Sequence, residues 1–196
     1  MKKNRHISKK LDIISLYLGN YRRRINGRQI ARSISVSPQT ALTAINSMVT
    51  GGILSFEVVG KNKEYYLNIK NRQTRQMIMI AEEHNALLAL DNKEIQVLIS
   101  EIADLAESII LFGSFAAGDY DNKSDIDLIV IDKADKKKIE EIVRANPREV
   151  NCEFISHNDF KKAFDMKKAL ALEIAKKHVI FGNVKKIIDV FMKYQT

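Results

Sequence analysis

The chain has 196 residues, a formal net charge of +8 and a single cysteine. That length supports one large or two small domains with a buried core. One cysteine excludes an intramolecular disulfide, and no apolar run approaches membrane-spanning length, so a cytoplasmic protein with no membrane partner is the expectation.

The charge is divided unevenly. Residues 1–80 carry 15 Lys or Arg against 3 Asp or Glu, whereas residues 81–196 hold 17 basic and 21 acidic side chains. A basic front half joined to a slightly acidic back half predicts two modules with different partners. The expected division is 1–70, a helical linker over 71–106, and 107–196.

In the front module, Ser8–Leu18 has helical spacing, with Leu11, Ile14, Leu16 and Leu18 as candidate core residues. Gly27–Ile34 reads as a second, short helix. Ser37 and Pro38 then open a third, as N-cap and first helical residue, which runs to about Val49 and stops at Gly51-Gly52. Ile53–Val59 and Tyr65–Ile69 alternate as strands around a Gly60–Lys63 turn. Three helices followed by a two-stranded wing resemble a winged helix-turn-helix, with Gln29–Thr40 resembling that family's turn and recognition-helix start. The resemblance implies a DNA partner, read by Gln39, Thr40, Thr43, Asn46 and Ser47 from the third helix. That helix has no Lys or Arg, so phosphate attraction falls to Arg22, Arg23, Arg24, Arg28 and Arg32 and to the wing residues Lys61 and Lys63. RNA or a protein is the alternative partner.

Between the modules, Met77–Ala81 and Ala86–Leu90 lie in one helical stretch, and Lys93–Ala106 reads as another, with Asp91-Asn92 as break and cap. These helices either pair two copies into a homodimer or pack on the sheet that follows.

The run Ile109–Ile131 is the most informative in the chain. Four apolar residues lead to Gly113-Ser114, a polar loop follows, and a second apolar strand begins at Asp125-Ile126-Asp127-Leu128. Side chains two apart on a strand share a face, so the carboxylates of Asp125 and Asp127 point the same way, about 7 Å apart along the backbone. Like charges at the rim of an apolar core call for a cation, and hard oxygens suit Mg²⁺ (or Mn²⁺). A glycine after an apolar strand marks close approach of backbone and ligand. Free amides at the start of the next short helix, with the Ser114 hydroxyl, form an anion cradle. Phosphate on one side and metal on the other is the arrangement for phosphoryl or nucleotidyl transfer.

Gly113, Ser114, Ala116, Gly118, Ser124, Asp125, Ile126, Asp127 and Leu128 together resemble the cassette of the minimal nucleotidyltransferases of the DNA polymerase β superfamily. The resemblance implies an α/β (α+β) fold with a small mixed sheet flanked by helices. It also implies transfer of a nucleoside monophosphate from a nucleoside triphosphate, with ATP the expected donor, to an acceptor hydroxyl on a protein, an RNA or a small molecule. Gly113, Ser114 and Ser124 are then the nucleotide-binding residues, and Asp125 and Asp127 the ligands of two Mg²⁺ ions. Phe115 and Ala117 stand where the family often has arginine. A third carboxylate belongs on a later strand; Glu153, within Val150–Ser156, is the candidate metal ligand and base, and Asn151 on the same face is a possible accessory ligand. Two other readings remain open: a DNA-binding regulator whose second module senses a nucleotide or is degenerate, and an antitoxin-like partner protein.

Further on, Lys136–Ala145 reads as a charged helix stopped by Pro147. A helix from about Asp159 carries Phe160, Phe164 and Leu170. His178–Asn183 reads as a short last strand, and Val184–Met192 as a terminal helix docked through Ile187, Ile188 and Phe191. The four histidines are scattered and read as surface or capping residues. Cys152 reads as a small buried hydrophobe.

Overall fold

The computed structural model describes residues 2–132 and 135–194, with side chains from Lys9 onward. The chain forms two compact units, which divide between Ala81 and Glu82.

The first unit contains α1 (Lys2–Ser15), β1 (Ile25–Asn26), α2 (Gly27–Ser33), α3 (Pro38–Thr50), β2 (Leu54–Val59), β3 (Asn62–Leu67) and the start of α4 (Arg72–Ala89). Asn26 caps α2 with a reciprocal capping box to Gln29. Ser37 Oγ accepts the Thr40 N–H with Pro38 at the first helical position, so α3 starts where the sequence places it. Its apolar stripe, Ala41, Ala44, Ile45 and Met48, is buried with Ile13, Ile14, Tyr17 and Ile30. Leu11 is only half-buried, and so are Leu16 and Leu18, where the chain leaves helical geometry after Ser15.

The hairpin is tighter than the expected four-residue turn. Only Gly60-Lys61 turns, with Gly60 at φ +61°, and β3 already begins at Asn62. The two-residue β1 also pairs with β3, giving a three-stranded sheet ordered β1-β3-β2. The buried Tyr17 hydroxyl donates to the Tyr65 carbonyl at 2.9 Å and ties the turn after α1 to this sheet.

The second unit continues with α5 (Lys93–Ile102), a 3-10 turn at Ala103–Leu105, β4 (Ser108–Phe112), α6 (Gly113–Ala117), β5 (Ile126–Ile131), α7 (Lys136–Ala145), β6 (Val150–Ile155), α8 (His157–Asp165), α9 (Ala169–Lys176), β7 (Val179–Gly182) and α10 (Val184–Tyr194). Asn92 caps α5 through the amides of Glu94 and Ile95, at the expected break. The sheet order is β6-β5-β4-β7; β5 and β6 are parallel, joined by the crossover helix α7, and the other pairs are antiparallel. This is the small mixed sheet flanked by helices that the sequence predicts.

One face of the sheet presents Ile109, Leu111, Ile126, Leu128 and Val130 to Ile95, Leu98, Ile99 and Ile102 of α5 and Ile139 of α7. Helix α5 is therefore part of this unit's core rather than a linker. The other face carries the buried Ile110, Ile129 and Ile180. Helix α10 packs on β7, and Phe160, Phe164 and Phe191 cluster with centroids 5.2–6.1 Å apart. Leu170 stays exposed at 41%.

His178 overturns the reading of the histidines as surface groups. It is buried, with Nε2 3.2 Å from the carboxylate of buried Glu82, Nδ1 3.0 Å from the Ile174 carbonyl, and its ring against Phe191. Cys152 is half-buried; burial, helped by Glu140, pushes its thiol up to about 11. Among the described residues, no helix is long and apolar enough to cross a membrane.

Candidate functional site

The site begins with strand register. In the antiparallel β4–β5 pair, Phe112 stands opposite Asp127, so the residue after Phe112 turns directly over the Asp127 carboxylate. That residue is Gly113, at φ +69°. Any side chain there would be strained in the left-handed region. Its Cβ would also collide with Asp127 Oδ2 and sit 3.2 Å from Asp127 Cγ. The Gly-Ser turn and the second aspartate of Asp-x-Asp are thus one structure. Helix α6 then makes a single turn and stops on Gly118, at φ +75°.

The loop from Asp119 to Asp125 is held from several sides. Asp121 N–H donates to Ser124 Oγ at 2.9 Å, Ser124 Oγ donates to Asp121 Oδ1 at 3.0 Å, and Lys123 N–H donates to the same oxygen at 2.8 Å. These bonds, the Lys123 amide first, hold the Asp121 carboxyl below its usual range. Ser124 therefore spends its hydroxyl closing this turn. The Tyr120 ring stacks on Phe115 at 4.2 Å, and its hydroxyl accepts from Asn92 Nδ2 at 2.9 Å.

Arg148, just before β6, is the largest contributor and had no signal in the sequence beyond following Pro147. Its Nη1 donates to the carbonyls of Ser124 (2.7 Å) and Asp121 (3.2 Å), and its Nε and Nη2 grip the Glu94 carboxylate. The guanidinium lies 5.3 Å from the centroid of Phe115. One planar fork thus joins α5, the lead-in to β6 and the loop that delivers Asp125. The Arg148 bond holds the Glu94 carboxyl below its usual range.

In the parallel β5–β6 pair, Asp127 stands opposite Asn151, whose Nδ2 donates to Asp127 Oδ1 at 3.1 Å. Glu153 stands opposite Ile129. It shares the face of Asp127 but lies one two-residue step, about 7 Å of strand, further from the Gly-Ser turn. The register brings Asn151, and not Glu153, beside the Asp-x-Asp pair. Among the described residues, no three His, Cys, Asp or Glu side chains are close enough together to hold a metal ion. Asp125 and Asp127 still offer two anionic hard-oxygen donors, which with phosphate oxygens fit a single Mg²⁺ or Mn²⁺, while Asn151 turns an N–H toward Asp127.

Two clefts flank these residues. One, of about 750 Å³, lies between the turn residues Gly113 and Ser114 and helix α9, which contributes Glu173 and Lys176, with Lys177 just beyond. The other, of about 610 Å³, reaches Asp125 and is lined by Lys93, Lys123, Pro147 and Arg148. Nothing in the sequence pattern singles out Lys176 or Lys177.

In the first unit, α3 turns Gln39, Thr43, Asn46 and Ser47 outward, while Thr40 is half-exposed and bonded to Ser37. Arg28, Lys61 and Lys63 line one notch of about 280 Å³ beside Pro38. Arg22 is exposed. Arg23 donates to the Leu16 carbonyl, and Arg24 is paired with Glu57 over the Tyr66 ring, so these two are engaged within the unit.

Residues 94–195 match the nucleotidyltransferase domain family, and the chain belongs to it. No curated protein and no solved structure matches the chain.

Proposed function

We propose that the second unit transfers a nucleoside monophosphate from a nucleoside triphosphate, ATP the expected donor, to an acceptor hydroxyl with Mg²⁺. The observation that carries this reading is the Gly113–Asp127 approach, which sets an amide-lined turn against a carboxylate with no room for a side chain. The triphosphate lies between Gly113-Ser114 and the ammonium groups of Lys176 and Lys177, in the 750 Å³ cleft. Asp125 and Asp127 hold the metal, which neutralises phosphate charge when bound. Arg148 fixes the loop behind Asp125. The acceptor enters from the cleft on the Asp125 side. Its oxygen bonds to the α-phosphorus, the bond to the β-phosphate bridging oxygen breaks, and pyrophosphate leaves with the electron pair.

The first unit is read as a winged helix that binds DNA. The polar outer face of α3 meets the bases, and Arg28, Lys61 and Lys63 meet phosphate.

The transfer reading is tested with a nucleoside triphosphate radiolabelled at the α-phosphate. The wild-type protein is expected to bind it with Mg²⁺ and to label an acceptor in a cell lysate, and Asp127→Asn is expected to lower labelling at least a hundredfold. Absence of both binding and labelling in the wild type refutes it. For DNA, affinity should fall steeply with salt, and Lys61→Ala should reduce the logarithmic slope by about one. A salt-independent response excludes phosphate contacts.

A further inference from the structure

The residue that β6 places beside Asp127 is an amide. A position opposite Asp127 on the parallel strand is the nearest that any β6 side chain comes to the Asp-x-Asp pair, and Asn151 occupies it with its Nδ2 on Asp127 Oδ1. An amide brings no negative charge to a second cation and accepts no proton from a hydroxyl near neutral pH. The next side chain on that face, Glu153, is level with Ile129, which in turn is opposite Ile110, two residues before the strand reaches the Gly-Ser turn. Among the described residues, no third carboxylate stands close enough to Asp125 and Asp127 to share a metal ion with them; Glu149, just before β6, lines the cleft on the Asp125 side.

We infer that Asn151 makes this a slow, single-cation site: β6 sets an amide beside Asp127, where it offers neither charge to a second divalent ion nor a proton acceptor to the attacking hydroxyl. The inference rests on the nucleotidyltransferase reading and sharpens it. Phosphates and two aspartates satisfy one divalent ion, and a second would need more anionic oxygen than the site offers. During transfer the acceptor O–H loses its proton to solvent water as the oxygen–phosphorus bond forms and the bond to pyrophosphate breaks. General-base assistance typically contributes about 10²–10⁴-fold, so an amide in place of a carboxylate beside Asp127 slows the transfer step on that order.

The test counts ions first. Mn²⁺ bound per full-length chain is measured by electron paramagnetic resonance with saturating α,β-methylene-ATP, which binds without transferring. Pyrophosphate release from ATP is then followed with water as acceptor. Wild type is expected to hold one Mn²⁺ and release pyrophosphate slowly. Asn151→Asp, on an exposed edge-strand position, is expected to hold two and to release it at least about tenfold faster. Glu153→Gln is expected to match the wild type in both. Two ions on the wild type, or loss of an ion in Glu153→Gln, overturns the inference while leaving nucleotidyl transfer standing. An Asn151→Asp variant that melts like the wild type yet changes neither readout also overturns it. Failure of the wild type to bind the analogue at all overturns the nucleotidyltransferase reading, and this inference with it.

Discussion

The contact between Gly113 and Asp127 gives a prediction with its own control. Gly113 and Gly118 both adopt left-handed backbone, at φ +69° and +75°. Alanine in that region costs about 1–2 kcal/mol. At Gly118 nothing lies within 4 Å of the added Cβ, so Gly118→Ala should show that strain alone. For a unit of this size the loss corresponds to a melting temperature lower by roughly 4–15 °C. Gly113→Ala carries the same strain and must also drive the Asp127 carboxylate off its position, with Cγ only 3.2 Å from the new methyl. A displacement of about 1 Å in a reacting group commonly lowers rate on the order of a hundredfold. The expected pattern is therefore similar melting temperatures for the two variants, with transfer from labelled triphosphate lowered about a hundredfold in Gly113→Ala and within about threefold of wild type in Gly118→Ala. Calorimetry and labelling are read on the same preparations. If Gly113→Ala transfers as well as Gly118→Ala, the coupling of turn and carboxylate is refuted.

Arg148→Ala should release the Asp119–Asp125 loop without unfolding the sheet: amide exchange over residues 119–125 should rise about tenfold or more while that of β4 and β5 holds, and Arg148→Lys should not restore it, because lysine lacks the fork. Unchanged exchange would show that the loop is held without the guanidinium. The buried Glu82–His178 pair predicts a pH dependence. Burial acts most strongly and pushes His178 down, but the Glu82 carboxylate and the carbonyls of Ile174 and Ala175 together raise it above its ordinary value of 6.5. Its folded-state value thus exceeds its unfolded one, so the stabilisation is fully present below about pH 6.5 and is lost as pH rises through the raised value. Thermal melts should therefore show His178→Gln destabilising more at pH 6 than at pH 8, and equal losses at both would contradict the assignment.

What could be read from the sequence divides along one physical line. The Gly-Ser-to-Asp-x-Asp cassette was legible because its parts meet through a local hairpin: β4 and β5 are consecutive and antiparallel, so the order Phe112-Gly113 and Ile126-Asp127 nearly fixes the geometry. Caps at Ser37 and Asn92 were legible for the same reason, since each involves bonds within three residues. The choice between Asn151 and Glu153 was not legible. Alternation assigns both to the Asp127 face, but a period of two says nothing about level along the strand. The level of a parallel pair is set by the crossover through α7, which crosses by packing Ile139 into the core and so has no short-range signature. Arg148 and the Glu82–His178 pair were hidden for a related reason: their partners lie 54 and 96 residues away, and a lone Arg after proline or a lone His after lysines is indistinguishable from a solvated one. Side chains that act through a distant strand level or a distant partner are thus the ones on which the chemistry turns here. The Asn151 amide stands level with Asp127, and only the β5–β6 register reveals that it does.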